Sequence, residues 1–407
     1  MLKKICFILL AQVAFIAQAQ KTIKGVVKAA ENGQAISGAS VFLNNTSSGT
    51  VTNNKGEFTL SIPSGKFDLV ISSIGYQTYL RNFHSNDVAD FITVLLSPEV
   101  KELETVVVEP FEKDGWEKWG KFFTENFIGN SSMADECKIK NWKTIKFRHS
   151  KKRGELTAHA FEPLIIENRY LGYTVQYLLE KFSYNFKTKM ITYIGYPLFI
   201  PMKGSNAREK RWEKRREELY FGSLMHFMRS VYRNQLSEDG FELRTLKKTE
   251  NIEKKRVKAL YTAYAKESQT STSGNTTITI NTLNSHTDSN FYYQSVLKQP
   301  DILETIGSTI LSGDSIAYAV DKTTAGIFFE DYIQVLFKKK LAHPDYIKIY
   351  PKNSSAVLSQ LYLINGKPVE IQSNGMYYDP LDIISLGYWS WSEKISTMLP
   401  FDYWPKQ

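Results

Sequence analysis

The sequence is poor in cysteine and histidine and has no long apolar run beyond its first residues. Two of its 407 residues are cysteines, and one of them, Cys6, sits in the apolar start of the chain. Once that start is removed Cys137 stands alone, which excludes an intramolecular disulfide. No apolar run after residue 20 is long enough for a helical membrane span. Several catalytic signatures are also missing. There is no Gly-x-Ser-x-Gly elbow and no glycine-rich phosphate loop ahead of a helix. Asp314-Ser315 and Asp331 do not fall into a calcium-loop pattern.

The chain starts with a basic and then an apolar stretch. Met1-Leu2-Lys3-Lys4 leads into Ile5-Cys6-Phe7-Ile8-Leu9-Leu10-Ala11, and Ala17-Gln18-Ala19 follows. Basic, apolar and small-residue regions in that order form a secretory signal peptide, residues 1–19, with cleavage expected after Ala19 and Gln20 as the mature start. An uncleaved anchor is the alternative. Cys6 lies within the apolar run and not after the small residues, so lipidation is rejected. The formal charge is +9, or +7 without Lys3 and Lys4. In an exported protein this balance is not read as a nucleic-acid footprint. It suits solubility, and also attraction to an acidic lipid or glycan surface. Aromatic residues make up 13% of the chain, which fits β-rich structure, where large rings pack well on a pleated surface. Sugar stacking is the second reading of the same composition.

From residue 20 to 98 the chain reads as short strands between turns. Thr22–Val27 and Glu57–Ile62 alternate, and Asn32-Gly33, Asn53-Asn54-Lys55-Gly56 and Pro63-Ser64-Gly65 mark turns. Strands at such spacing predict a small all-β sandwich. The run Gly25-Val26-Val27, Ala35-Ile36-Ser37-Gly38-Ala39-Ser40-Val41, Gly49-Thr50-Val51-Thr52-Asn53-Asn54-Lys55-Gly56-Glu57-Phe58 and Ile71-Ser72-Ser73-Ile74-Gly75-Tyr76 resembles the carboxypeptidase regulatory-like domain. That resemblance covers about a fifth of the chain. It implies a transthyretin-like β-sandwich of the Bacteroidetes exported type, placed at the front of exported and outer-membrane proteins and not itself catalytic.

Residues 99–115 read as a linker. Leu103-Glu104-Thr105-Val106-Val107-Val108 is similar to the segment that follows this domain in TonB-dependent transporters, where a partner captures it as an added strand. A strand or tether that packs on the protein's own domains is the reading preferred here. Fewer than 300 residues follow, which excludes a plug and full transporter barrel.

Residues 116–407 read as an α+β domain with an antiparallel sheet and one long helix. Trp116, Trp119, Phe122, Phe123 and Phe127 recur at helical spacing. Strands are expected at 155–161, 164–169, 173–182 and 190–196 as an antiparallel meander. The long helix is expected from Asn206, as cap with Glu209 three residues on, to Gly240. Trp212, Leu219, Leu224, Phe227, Met228, Val231 and Leu236 form its apolar face. Its cations, Arg208, Lys210, Arg211, Lys214, Arg215 and Arg216, interleave with Glu209, Glu213, Glu217 and Glu218. They read as a self-paired solvated face, with a phosphate- or lipid-gripping patch as the alternative. Ser268 to Asn290 reads as a loop with Thr277–Ile280 a candidate strand. Asn365-Gly366 between Ala356–Ile364 and Lys367–Ile371 is the strongest hairpin signal. The aromatic runs Gly387–Trp391 and Leu399–Trp404 read as packing, with ligand stacking the alternative. This domain resembles only regions that follow the sandwich in similar exported proteins, which implies no activity.

A catalytic zinc site of the carboxypeptidase kind needs His-x-x-Glu with a later His. His159-Ala160-Phe161-Glu162 with His286 fits the spacing, as does His84-Ser85-Asn86-Asp87 in part, but the surroundings read as antiparallel β. Glu162 and Glu167, if on one strand, would point to opposite faces. Cys137, preceded by Asp135 and Glu136, reads as a half-buried small side chain, with a reactive thiol as the alternative. No catalytic, cofactor-binding or metal residue and no cofactor is assigned. The expectation is a non-catalytic exported envelope protein, in the periplasm or at the outer membrane, that binds an envelope protein or glycan and no nucleic acid. Peripheral contact with the outer membrane is included in that expectation. A hydrolase of glycan or peptide, with its site in the second domain, is the alternative.

Overall fold

A computed structural model describes residues 21–99, 110–269, 288–351 and 355–406. The expected signal peptide, most of the expected linker, the candidate strand Thr277–Ile280 and His286 lie outside the described residues.

Seven strands form the N-terminal sandwich: β1 (Lys21–Ala29), β2 (Ser40–Leu43), β3 (Gly49–Val51), β4 (Glu57–Ile62), β5 (Lys66–Ser72), β6 (Tyr79–His84) and β7 (Phe91–Leu96). One sheet runs β4-β1-β7 and the other β3-β2-β5-β6. β1 pairs antiparallel with β4 and parallel with β7. The alternation read in the sequence sets the inward side. In β4, Phe58, Leu60 and Ile62 are buried while Glu57, Thr59 and Ser61 are exposed. They meet Ile23, Val27, Val41, Leu69 and Ile71 in one core. Glycine is required at position 56, where φ is +74° and a Cβ would sit 2.5 Å from the carbonyl oxygen of Val27.

The second part begins with α1 (Gly115–Phe127), then β8 (Cys137–Ile139), β9 (Ile145–Ser150), β10 (Glu155–Ala160), β11 (Leu164–Asn168), β12 (Tyr173–Asn185) and β13 (Met190–Pro201). The predicted aromatic stripe packs α1 onto this sheet, with Phe123 and Phe127 fully buried against Phe147 and Phe182. The order is β8-β11-β12-β10-β9, with β13 also on β12. It is not a simple meander, because one edge of the long β12 serves two neighbours. Tyr173–Tyr177 pair with β11 and Phe182–Asn185 pair with β10.

Next come α2 (Asn206–Tyr220), α3 (Leu224–Tyr232), α4 (Leu236–Asp239), β14 (Phe241–Glu250), α5 (Ile252–Gln269), α6 (Asp288–Lys298), β15 (Ile302–Ile306), β16 (Ala317–Ala319), β17 (Thr324–Ile327) and β18 (Tyr332–Leu341). The chain closes with α7 (Pro344–Ile349), β19 (Ala356–Leu363), β20 (Val369–Gln372), β21 (Tyr377–Tyr378), β22 (Ile383–Gly387) and α8 (Tyr388–Ser392). A sheet ordered β15-β14-β18-β19-β22 and a smaller one ordered β16-β17-β20-β21 cover α3. The aromatic C-terminal run is largely core, since Tyr388, Trp389 and Trp391 are all buried.

Three further features differ from the sequence reading. The helix expected from Asn206 to Gly240 is three helices. Gly222 turns the chain at φ +81°, and the Ser223 side chain caps α3 by accepting from the His226 N–H at 3.1 Å. Groups from far along the chain reward the break. The Glu393 carboxylate accepts from the Leu224 N–H at 2.9 Å, and the Trp389 indole donates to the Gly222 carbonyl at 2.8 Å. Asn206 is the first residue of α2 and Ser205 is its cap, while Gly240 closes α4 at φ +99° as expected. The Asn365-Gly366 turn forms, with φ of 63° and 57°, but it makes no hairpin. β19 pairs with β18 and β22, whereas β20 pairs with β17 and β21. Lastly, α5 and α6 fall where the sequence offers weak patterning, and neither was expected.

The sandwich is seated on the second part and not strung beside it. Phe42 and Val70, on the outer face of the β2–β5 sheet, are buried with Leu198 of β13. The Asn45 N–H donates to the Pro197 carbonyl, and the Phe199 N–H donates to the Thr46 carbonyl. The C-terminal segment completes the seat. Phe401 N–H donates to the Asn45 carbonyl, and Asp402 accepts from Ser47. On the other flank Lys66 pairs with Glu370, and His84 Nε2 lies 3.1 Å from Thr323 Oγ1.

Candidate interaction surface

Among the described residues, those singled out for chemistry do not converge. His159 lies on β10 beside the Phe111 ring, Glu162 is exposed in the turn after it, and His84 belongs to the sandwich seat. Glu167 is on β11. Burial works to raise its carboxyl, but Arg169 and Lys140 hold it below the usual range. Cys137 is buried, and burial pushes its thiol up to about 12. Among the described residues no three His, Cys, Asp or Glu side chains come together as a metal-holding group.

One polar cluster was not visible in the sequence. His226 and Ser230, one turn apart on α3, are both buried, and Asp239 of α4 approaches them. Ser230 Oγ donates to Asp239 at 2.5 Å, and His226 Nε2 lies 3.7 Å from the same carboxylate. These are the residue types of a nucleophile, base and orienting acid, but the cluster is closed. His226 Nδ1 accepts from the Gly222 N–H at 3.2 Å, and its ring is packed by Tyr220, Phe221, Phe241 and Phe337. Burial lowers its pKa to about 4, with Asp239 opposing. Asp239 is taken up by Arg233 at 2.8 Å. The cluster fastens α3 to α4. Arg229 of α3, also fully buried, donates to the carbonyls of Asn374 and Phe401, and its guanidinium lies 3.8 Å from the Trp404 ring. On α2, Arg208, Lys210, Arg211 and Lys214 are exposed, with Lys214 3.8 Å from Glu218 on the same helix, while the other two cations of the run are structural. Arg215 pairs with Glu136, and Arg216 donates to the Leu171 carbonyl over the Tyr173 ring.

The open chemistry is on the surface. β15 is the edge of its sheet, paired with β14 from Leu246↔Ile306 to Glu250↔Ile302, and all five of its residues are exposed. Large apolar side chains lie along it: Ile302 at 47%, Leu303 at 41% and Ile306 at 48% exposed. The edge runs on. Gly307 N–H donates to Thr245, Leu311 bridges Leu243, and Ile310 between them is exposed. It then reaches an open hollow of about 450 Å³ lined by Asp314, Ser315, Ile316, Ala317, Tyr318, Phe328 and Pro368. β16, the edge of the smaller sheet, borders this hollow. The helices α5 and α6 rise from the start of the edge. Asn251 closes their base by donating to Gln299 and Pro300 and accepting from the Lys254 N–H. Unpaired edge groups with exposed apolar side chains are a template for an incoming extended chain.

Comparisons with known proteins place the first part of the chain. No curated protein matches the chain as a whole. Among solved structures it is similar to a cohesin–X–dockerin complex of Acetivibrio cellulolyticus, at 18% identity over 19% of this chain and 56% of that one, with a TM-score of 0.16. A DUF3823 family protein of Bacteroides ovatus matches at 12% identity over 46% of this chain and 82% of that one, TM-score 0.16. A protein of Bacteroides fragilis described as membrane-associated and of unknown function matches at 12% identity over 91% and 95%, also at TM-score 0.16. At these scores the likenesses carry no argument. The family model named CarboxypepD_reg-like domain matches residues 23–108, the stretch that holds the seven-stranded sandwich. The N-terminal sandwich of this chain is a carboxypeptidase regulatory-like domain.

Proposed function

We propose that this chain is a non-catalytic exported protein of the cell envelope that binds a protein partner by strand addition along residues 302–311. The observation that carries this reading is the exposed apolar edge β15, continued past Ile310 to the hollow at Tyr318 and Phe328. Edge strands left open in this way are usually blunted by charge, proline or a covering element. Here the edge carries one charge, Glu304, which pairs with Lys248 of β14 at 3.1 Å, and its outer side is open among the described residues. A glycan partner would instead use Tyr318 and Phe328 as stacking faces. No described helix is long and apolar enough to cross a membrane. That fits a periplasmic or peripherally attached protein.

The test is capture from an envelope fraction by the wild-type chain and by a Leu303→Lys, Ile306→Lys variant. Charge on the edge opposes strand addition, so a partner held by the wild type is lost by the variant. Equal capture by both would remove the edge from the binding site.

A further inference from the structure

A second surface, independent of the strand edge, lies at the far end of the six-stranded sheet, where two hairpin tips meet. The β9–β10 tip is Lys151-Lys152-Arg153-Gly154, and the β12–β13 tip is Phe186-Lys187-Thr188-Lys189. Local hydrogen bonds shape both. Ser150 accepts from the backbone N–H groups of Arg153 and Gly154, and Asn185 Oδ1 accepts from those of Lys187 and Thr188. Gly154 and Lys189 turn the chain at positive φ. The tips are fastened side by side: the Phe186 N–H donates to the Gly154 carbonyl at 2.8 Å, and the Lys187 stem lies over Gly154.

Five cations therefore project from one end of the sheet, all exposed. Glu155 is the acid beside them and is engaged by Arg153 at 3.3 Å. Two apolar side chains sit among the cations, Phe186 at 37% and Met190 at 52% exposed. Phe186 is held from behind by Trp119, Phe122, Tyr184 and His149, with ring centroids 5.0 to 5.9 Å away. A fixed exposed ring surrounded by lysines has two complements in one partner: negative charge for the ammonium groups and an apolar layer for the ring.

We infer that these tips bind the surface of an anionic phospholipid leaflet. The leaflet supplies both complements, because phosphates attract the lysines while the interface accepts an aromatic ring. The shape agrees, since two adjoining tips present a convex end and not a groove that would enclose a chain. The placement agrees as well. Leu198, where the sandwich is seated, lies eight residues along β13 from Met190, or roughly 26 Å at the rise of a strand. The sandwich stays clear of a leaflet touched by the tips.

The test is co-sedimentation of the purified full chain with vesicles of phosphatidylcholine alone and of phosphatidylcholine mixed with phosphatidylglycerol. The expected result is binding to the mixed vesicles only, weakening as salt shortens the range of the attraction. Replacing Lys151 and Lys152 with alanine lowers partitioning on the order of 30-fold, from the attraction of one cation near an anionic surface. Phe186→Ala also lowers it, which attraction by charge alone does not predict. Lys210→Ala with Arg211→Ala on α2 leaves binding unchanged. The tips are exposed turns, and an unchanged Tm verifies that the variants are folded. Binding to neither vesicle, equal binding to both, or tip variants that bind like wild type would each overturn the inference. So would binding of a soluble sulfated polysaccharide without vesicle binding, which would assign the tips to an acidic glycan.

Discussion

The backbone N–H and the hydroxyl of Ser47 both donate to the carboxylate of Asp402, at 3.0 and 2.5 Å. The two residues are 355 positions apart, and with Phe42 against Leu198 they hold the sandwich on the rest of the molecule. Asp402→Ala removes an exposed, charge-assisted contact and is expected to cost about 1 kcal/mol. Phe42→Ala removes a buried ring and is expected to cost about 3 kcal/mol. Thermal unfolding measures both, and limited proteolysis should show the sandwich released more readily in the Phe42 variant. Deleting the sandwich outright is a poorer test, because it uncovers Leu198 and the side chains beside it.

Gly222 should not tolerate a side chain. Its φ is +81°, and a Cβ would lie 2.6 Å from the Phe337 ring. Gly222→Ala is expected to destabilise by about 1–3 kcal/mol through backbone strain and crowding. A midpoint in denaturant equal to that of wild type would show that the α2–α3 break is not held in this way.

Acid should weaken the fold through His226. Burial sets its pKa near 4 against an ordinary 6.5. Between those values the unfolded chain binds a proton that the folded chain refuses, so stability is full above 6.5 and falls as pH drops toward 4. The loss is on the order of 3 kcal/mol across that window. His226→Gln should flatten the slope, and stability curves at several pH values measure it. An unchanged slope would assign the acid sensitivity to other groups.

The thiol of Cys137 should be inert in the native protein. It is buried, and burial pushes its pKa up to about 12, so the thiolate that reacts with disulfide reagents is scarce. Colour development should require denaturant. Rapid reaction of the folded chain would contradict the placement of β8.

The parts legible in the sequence are those whose cause is local. Phe58, Leu60 and Ile62 alternate because a half-buried strand does, and Trp116 to Phe127 recur at helical spacing because one side of α1 meets a sheet. The missed parts have causes at a distance. Nothing near Gly222 announces that Trp389 and Glu393 will take up the groups freed by a broken helix. Asn365 and Gly366 adopt the turn that their types favour, yet the strands on either side join different sheets, a choice made by β17 and β18 and not by the turn. The same holds for the surfaces. The cations of α2 stood out as a run, but Arg215 and Arg216 are committed to Glu136 and Leu171. Lys151 and Lys187 are distant in sequence and become neighbours only when two hairpins lie side by side. The β15 edge was hidden because Ile302 to Ile306 alternates no more clearly than a buried strand would.

The contacts of Asn45 and Ser47 also bear on the order in which the molecule assembles. The sandwich has its own core and lies ahead of the strand that covers its outer face, so it can fold before β13 is made. Its seat also includes Phe401 and Asp402, which are made later still than Leu198. During synthesis the finished sandwich therefore waits with Phe42 and Val70 uncovered until Leu198 arrives. In that interval a chaperone has its clearest hold on this protein, and two newly made chains are most able to stick to one another.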